Sequence, residues 1–233
     1  MFKHILVLFT NIFLLDCMHS IWLLITHCSC LFPLGVFMWN YKIRKEKESI
    51  FIFCRFLYTL MFSLMYHSYH VEEEGFIKLH DKYRDIWVFL DGQQSASLIV
   101  NTVLYCCRIR EPWIYILSYN MDTLLLVMYF FDLYILSIYL LVITTFITFI
   151  YKYKTIIRYV KFFYYISTCC FVFCGSAFFC YFYYQGGSND SYILFHSIWH
   201  ILIFGTAGFG GILRYKLNNK LYPIGNRPTL NSI

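Results

Sequence analysis

The sequence predicts an all-α membrane protein: a seven-transmembrane helix bundle with its N-terminus outside and its C-terminus cytoplasmic. Three observations carry that expectation. The 233 residues are 60% hydrophobic and 22% aromatic but only 14% charged, more apolar surface than a soluble domain of this size can hide. Apolar runs close to the ~20 residues that cross a bilayer recur from end to end. Basic residues gather in short clusters between those runs.

The elements follow in order. Lys3 precedes the apolar stretch Ile5–Leu15, a charged n-region and an h-region too short to span, so residues 1–19 read as a signal peptide or an N-terminal extension. The seven-span domain is expected over 20–213 and a polar, cytoplasmic tail over 214–233. Spans of suitable length fall at about 20–40, 50–70, 86–105, 162–184 and 191–213. The stretch 113–151 has no Gly or Pro break and is too long for one span, so it divides near Asp132 into two.

Charge supports the division. The clusters Lys42, Arg44, Lys45 and Lys47; Arg108 and Arg110; Lys152, Lys154, Arg158 and Lys161; and Arg214, Lys216, Lys220 and Arg227 hold most of the basic residues. The positive-inside rule places all four on the cytoplasmic side. Arg108–Arg110 and 152–161 share a side only if two spans lie between them, which makes seven in all. The intervening segment 71–85 is acidic, with Glu72, Glu73, Glu74, Asp81 and Asp85. The segment 185–190 runs into a glycosylation sequon, Asn189-Asp190-Ser191.

Several classes are excluded or left without support. The net charge of +6 is spread between spans and not gathered in one patch, so nucleic acid is not an expected partner. The ten cysteines lie mostly inside apolar runs, show no zinc-ribbon or redox spacing, and read as small buried hydrophobes. Tyr and Trp near span ends, such as Trp39, Tyr41 and Trp113, read as interfacial anchors.

The stretch His196-Ser197-Ile198-Trp199-His200 is the most informative in the chain. Two histidines four apart share one helical face, and ionisable groups inside a span are costly enough to raise a functional hypothesis. The topology gives them company. His67 lies near the outer end of the second span, Asp91 near the outer end of the third, and His196 and His200 in the first two turns of the seventh. Ser63 is one turn below His67. These positions converge just beneath the outer surface. A histidine pair of this kind also serves as an interhelical hydrogen bond or lines a polar cavity. Three imidazoles with an open position match a catalytic zinc site, at which zinc lowers the pKa of water to about 7 and polarises a carbonyl or phosphoryl oxygen. Asp91 then serves as general base or orients a histidine. At that depth the substrate class is a lipid amide or ester. His70 and His80 read as loop residues. His4, His19 and His27 precede or enter the first span without an identifiable partner. Asp122, with Asn120 and Ser118, forms a second buried polar group whose role is open between structural glue and a polar path.

These residues carry a resemblance. Phe62-Ser63-Leu64-Met65-Tyr66-His67 resembles the Ser-x-x-x-His element of the transmembrane protein 8 and myomaker family. Leu90-Asp91-Gly92-Gln93-Gln94-Ser95-Ala96-Ser97 resembles its Asp-containing third span, and His196-Ser197-Ile198-Trp199-His200 its seventh-span His-Ser-x-Trp-His element. The resemblance runs over roughly residues 20–215. It implies membership of the CREST superfamily of seven-span membrane hydrolases, beside the alkaline ceramidases and the progestin and adiponectin receptor-like proteins. It implies a Zn2+ held by His67, His196 and His200, with Ser63 and Asp91 in catalytic positions. That family usually continues the second-span motif as His-x-x-Asp, where this chain has His70. Its myomaker-like members carry cysteines in the tail, whereas none follows Cys180 here.

The expectation is therefore a zinc-dependent lipid hydrolase in the plasma membrane or a secretory-pathway membrane. The alternatives are a non-enzymatic protein of membrane remodelling or cell–cell fusion, and a receptor-like lipid-binding protein. Membrane lipid is the expected partner, a homodimer is left open, and no soluble partner is indicated.

Overall fold

A computed structural model of the chain describes residues 25–73, 84–131, 133–184 and 189–223. Among the described residues the structure is entirely helical. A 3-10 turn at His27–Cys30 leads into α1 (Leu31–Arg44), followed by α2 (Lys47–Glu73), α3 (Arg84–Cys106), α4 (Trp113–Phe130), α5 (Tyr134–Tyr151), α6 (Tyr153–Phe162), α7 (Tyr164–Tyr184) and α8 (Asn189–Leu221). Two helices, Lys47–His67 and Leu194–Leu221, are by themselves long and apolar enough to cross a membrane. A third span results if α6 and the start of α7, bent by 119° at their junction, are taken together.

Helices lie over the described part of each expected span, but only two of them, or three, are long and apolar enough to cross a membrane, not seven, and other differences matter too. α8 does not stop at 213. It runs to Leu221, because Leu213, Arg214, Leu217 and Asn218 recur at helical spacing and are all buried. The basic segment 152–161, expected as a loop, is mostly helix α6. The backbone is already helical at Asn189, so the sequon opens a helix. Position 70 is also helical, within α2, and not in a loop. The expectations for residues 1–19, His80 and Asp132, and for the tail beyond 223, lie outside the described residues.

α8 is the central element, packed against α1, α3 and α7. Its glycines explain how neighbours approach so closely. A Cβ on Gly208 would overlap the Phe32 ring, and one on Gly210 would overlap the Cys106 thiol. Small residues at such contacts let helix backbones come together without side chains between them. The main core joins Phe37 of α1, Ile52 and Phe56 of α2, Leu98 and Leu104 of α3, Ile114, Met121 and Leu125 of α4, and Phe204 and Ala207 of α8. Outside this core the apolar side chains of α4 and α5 remain widely exposed, Tyr139, Phe146 and Ile150 among them, as expected of surfaces that meet lipid in place of water.

α2 and α3 are pinned at mid-length by polar groups. Arg55 of α2 forms an ion pair with Asp122 of α4 at 2.8 Å, and Ser97 of α3 donates to the same carboxylate. Gln93 Nε2 donates to the Asp122 backbone carbonyl at 3.2 Å. Asp122 is thus tied to both neighbouring helices, which favours the structural-glue role for this group. Its partner Arg55 carries no signal in the sequence, because the pairing crosses helices at no fixed spacing.

Candidate metal centre

Four imidazoles meet at one end of the bundle. α2 supplies His67, and Ser63 one turn earlier on the same face. α8 supplies His196 and His200, again one turn apart. The fourth is His27, from the 3-10 turn ahead of α1. All four are buried.

The geometry is close. His67 Nε2 and His196 Nε2 are 3.2 Å apart. Ring centroids of His27 and His200 are 4.1 Å apart, His196 and His200 4.7 Å, and His67 and His200 5.3 Å. His27, His67 and His200 each offer a ligand nitrogen, and these nitrogens lie within 4.8 Å of one another. Three buried histidines can therefore hold a metal ion. Zn–N bonds of about 2.0–2.1 Å in a tetrahedron put ligand atoms roughly 3.3 Å apart. The His67–His196 pair already has that separation.

Satisfaction of the polar atoms points the same way. Neither ring nitrogen of His200 has a hydrogen-bond partner, and Asp91 Oδ1 has none. A buried imidazole without partners forfeits the hydrogen bonds it would make in water, at a cost of about 1–3 kcal/mol. A metal ion removes that cost by taking the lone pair, and the all-imidazole donor set suits zinc, copper, iron or nickel. The donors present fit such an ion.

The expected site residues converge. His67, His196 and His200 form one cluster, and Ser63 and Asp91 lie beside it. His27 Nε2 hydrogen-bonds Ser63 Oγ at 2.9 Å, and the hydroxyls of Ser63 and Ser95 interact with the Asp91 carboxylate. A line His27–Ser63–Asp91 therefore runs along one side of the cluster and fixes the carboxylate. Trp199 and Phe204 close the other side, with rings 5.1 and 5.7 Å from His200.

His27 is the residue that sequence reasoning leaves without a partner. It is a lone histidine in an apolar run, and no spacing links it to another ligand. Only the packing of the 3-10 turn against α2 and α8 brings it in.

The family described as "Protein of unknown function (DUF3522)" matches residues 15–201, a stretch that contains all four histidines, Ser63 and Asp91. No curated protein and no solved structure matches the chain.

Proposed function

The chain belongs to the DUF3522 family, whose description assigns no activity, and from that premise we propose that it is a multi-pass membrane protein with a zinc centre that hydrolyses an amide or ester bond of a membrane lipid. The observation that carries the reading is the buried imidazole cluster with Asp91 held beside it. The resemblance of the Ser63–His67, Asp91 and His196–His200 motifs to the transmembrane protein 8 and myomaker family supports it, as does the membrane-grade apolarity of α2 and α8.

Each residue has a part in this reading. His67, His196 and His200 would hold the ion, with His196 in the place that His27 takes in the trio whose nitrogens lie together here, His27, His67 and His200. When bound, zinc would polarise the scissile carbonyl and make water more acidic. Asp91 accepts the proton of the attacking water and returns it to the leaving amine or alcohol, so that water is added across the bond and nothing else is consumed. Ser63 orients Asp91 from one side, and His27 orients Ser63. The apolar walls made by Trp199 and Phe204 keep bulk water away and strengthen every charge interaction inside.

One observation favours a second reading. His27 supplies a fourth imidazole, and four protein ligands make the closed shell of a structural zinc site. In that reading the ion ties α1, α2 and α8 together in a non-enzymatic protein of membrane remodelling, fusion or lipid binding.

Two variants separate the readings. Purified protein in mixed-lipid vesicles is assayed for zinc by mass spectrometry and for lipid turnover by chromatography of extracted lipids. The hydrolase reading expects Asp91→Asn to keep zinc and lose turnover by at least about 100-fold, the lower end for a general base, and expects His27→Ala to keep zinc. Zinc lost with His27→Ala, and no turnover in wild type, establishes the closed site instead.

A further inference from the structure

Helix α6 plays no part in the metal centre, yet its sequence and placement are specific. Its ten residues are Tyr153-Lys154-Thr155-Ile156-Ile157-Arg158-Tyr159-Val160-Lys161-Phe162. Lys154, Arg158 and Lys161 recur at i, i+4 and i+7 and so share one face. Tyr153, Ile157 and Val160 recur at the same spacing on another. Tyr159 lies on a third.

Only the third face is used by the fold. Tyr159 is buried against Leu213 and Leu217 of α8, and its hydroxyl donates to the Cys106 carbonyl at the end of α3 at 2.6 Å. Lys220 of α8 stands 3.8 Å above the Phe162 ring. These contacts place α6 at the end of the bundle where α3 and α8 finish, far from the histidines. The chain turns by 119° between α6 and α7, so α6 does not continue α7 through an apolar layer. It folds across the end of the bundle with its start tipped toward that layer.

The other two faces are largely exposed. Tyr153, Ile157 and Val160 are 53%, 56% and 40% exposed, an expensive state for three apolar side chains in water. The three basic residues are exposed too, and among the described residues none has a carboxylate partner. The acidic groups at this end are occupied elsewhere: Glu46 and Glu48 by Arg214, and Glu111 by Lys47. Lys154 lies 5.9 Å from the Tyr153 ring centroid. Apolar and basic stripes side by side on a short helix are the pattern of a helix lying in the headgroup layer.

We propose that α6 is an anionic-lipid binding helix: Tyr153, Ile157 and Val160 sit at the boundary of the acyl chains, and Lys154, Arg158 and Lys161 bind the phosphates of anionic phospholipids in the leaflet at that end of the bundle. Lys152, Lys216 and Lys220 add to the positive potential there. The proposal rests on the membrane reading of the chain and is independent of the metal centre. Each basic side chain near an anionic surface contributes about fivefold in affinity, so the three together discriminate strongly between anionic and neutral lipid.

The test is hydrogen–deuterium exchange of the full-length protein in nanodiscs of phosphatidylcholine alone and of phosphatidylcholine mixed with phosphatidylserine. Exchange over 153–162 is expected to slow at least about fivefold in the anionic discs, the contribution of one basic residue, with α8 unchanged as an internal reference. The difference should disappear in Lys154→Gln/Arg158→Gln/Lys161→Gln and shrink in high salt. Equal exchange in the two lipids, or a difference that survives in the triple variant, overturns the proposal and leaves the membrane reading intact. Failure of the folded protein to enter nanodiscs of either kind overturns both.

Discussion

The two ends of α8 use buried polar groups in opposite ways. At one end His200 has two ring nitrogens without partners, next to three further imidazoles and an Asp91 oxygen that is also unmatched. Roughly 21 Å away along the same helix, at 1.5 Å per residue, Arg214 is fully engaged. Its Nε donates to Glu46 at 3.0 Å and its Nη1 to the Tyr105 carbonyl at 2.6 Å. Its guanidinium lies 4.2 Å from the Tyr105 ring centroid, and Glu48 stands at 3.7 Å. Arg44 and Asn218 complete the ring around Glu46. Both ends carry ionisable groups out of water. At the Arg214 end the charges are matched by the chain itself, and among the described residues only the amide oxygens of Asn40 and Asn218 lack partners, whereas at the histidine end the unmatched atoms are the nitrogens of a clustered imidazole. The charge network ties α1, α2, α3 and α8 together, and the imidazole cluster could hold a metal ion.

Breaking the Arg214 end should have the larger effect on stability. Arg214→Leu leaves Glu48 buried without its cation and Glu46 with Arg44 alone, at a cost of about 3 kcal/mol, the lower end for a broken buried pair. Thermal unfolding in detergent should show a large fall in Tm, while protein kept folded at low temperature should bind metal as wild type does. Loss of metal with this variant would show that the two ends are not separate devices.

A smaller effect comes with acid. Burial pushes the Glu46 carboxyl up, but the Arg214 charge and the hydrogen bonds from Arg214, Arg44 and Asn218 outweigh it and hold the group below its ordinary 4.5. The folded state therefore binds this proton less readily than the unfolded chain does. The stabilisation is complete above about pH 4.5 and is lost as pH falls through the lower folded value. Glu46→Gln should flatten the acid limb of a Tm-against-pH curve. An unchanged acid limb would remove Glu46 from the account.

Much of the site could be read in the sequence, for reasons that are local. His196 and His200, like Ser63 and His67, announce themselves by a spacing of four. Asp91 joins them once helices are placed antiparallel and depths compared. His27 could not be read, because a single histidine in a 3-10 turn has no period and its partners lie on two other helices. Composition alone places Arg214 in a polar tail, although Leu213 and Leu217, with Arg214 and Asn218, repeat with the period of a buried helix face. Composition hides α6 in the same way: its charges suggest a loop, while Lys154, Arg158 and Lys161 have helical spacing. Charge density favours a loop by composition, but period decides the element.

The central claim is that the histidine end is a metal site and not a set of interhelical hydrogen bonds. The most direct measurement is the zinc content of purified wild type and His200→Ala, determined per folded chain after exchange into metal-free buffer. About one zinc in wild type and almost none in His200→Ala, with the helical circular dichroism unchanged, is the result expected of an ion held by imidazoles. Wild-type protein that is fully folded yet free of metal would contradict it.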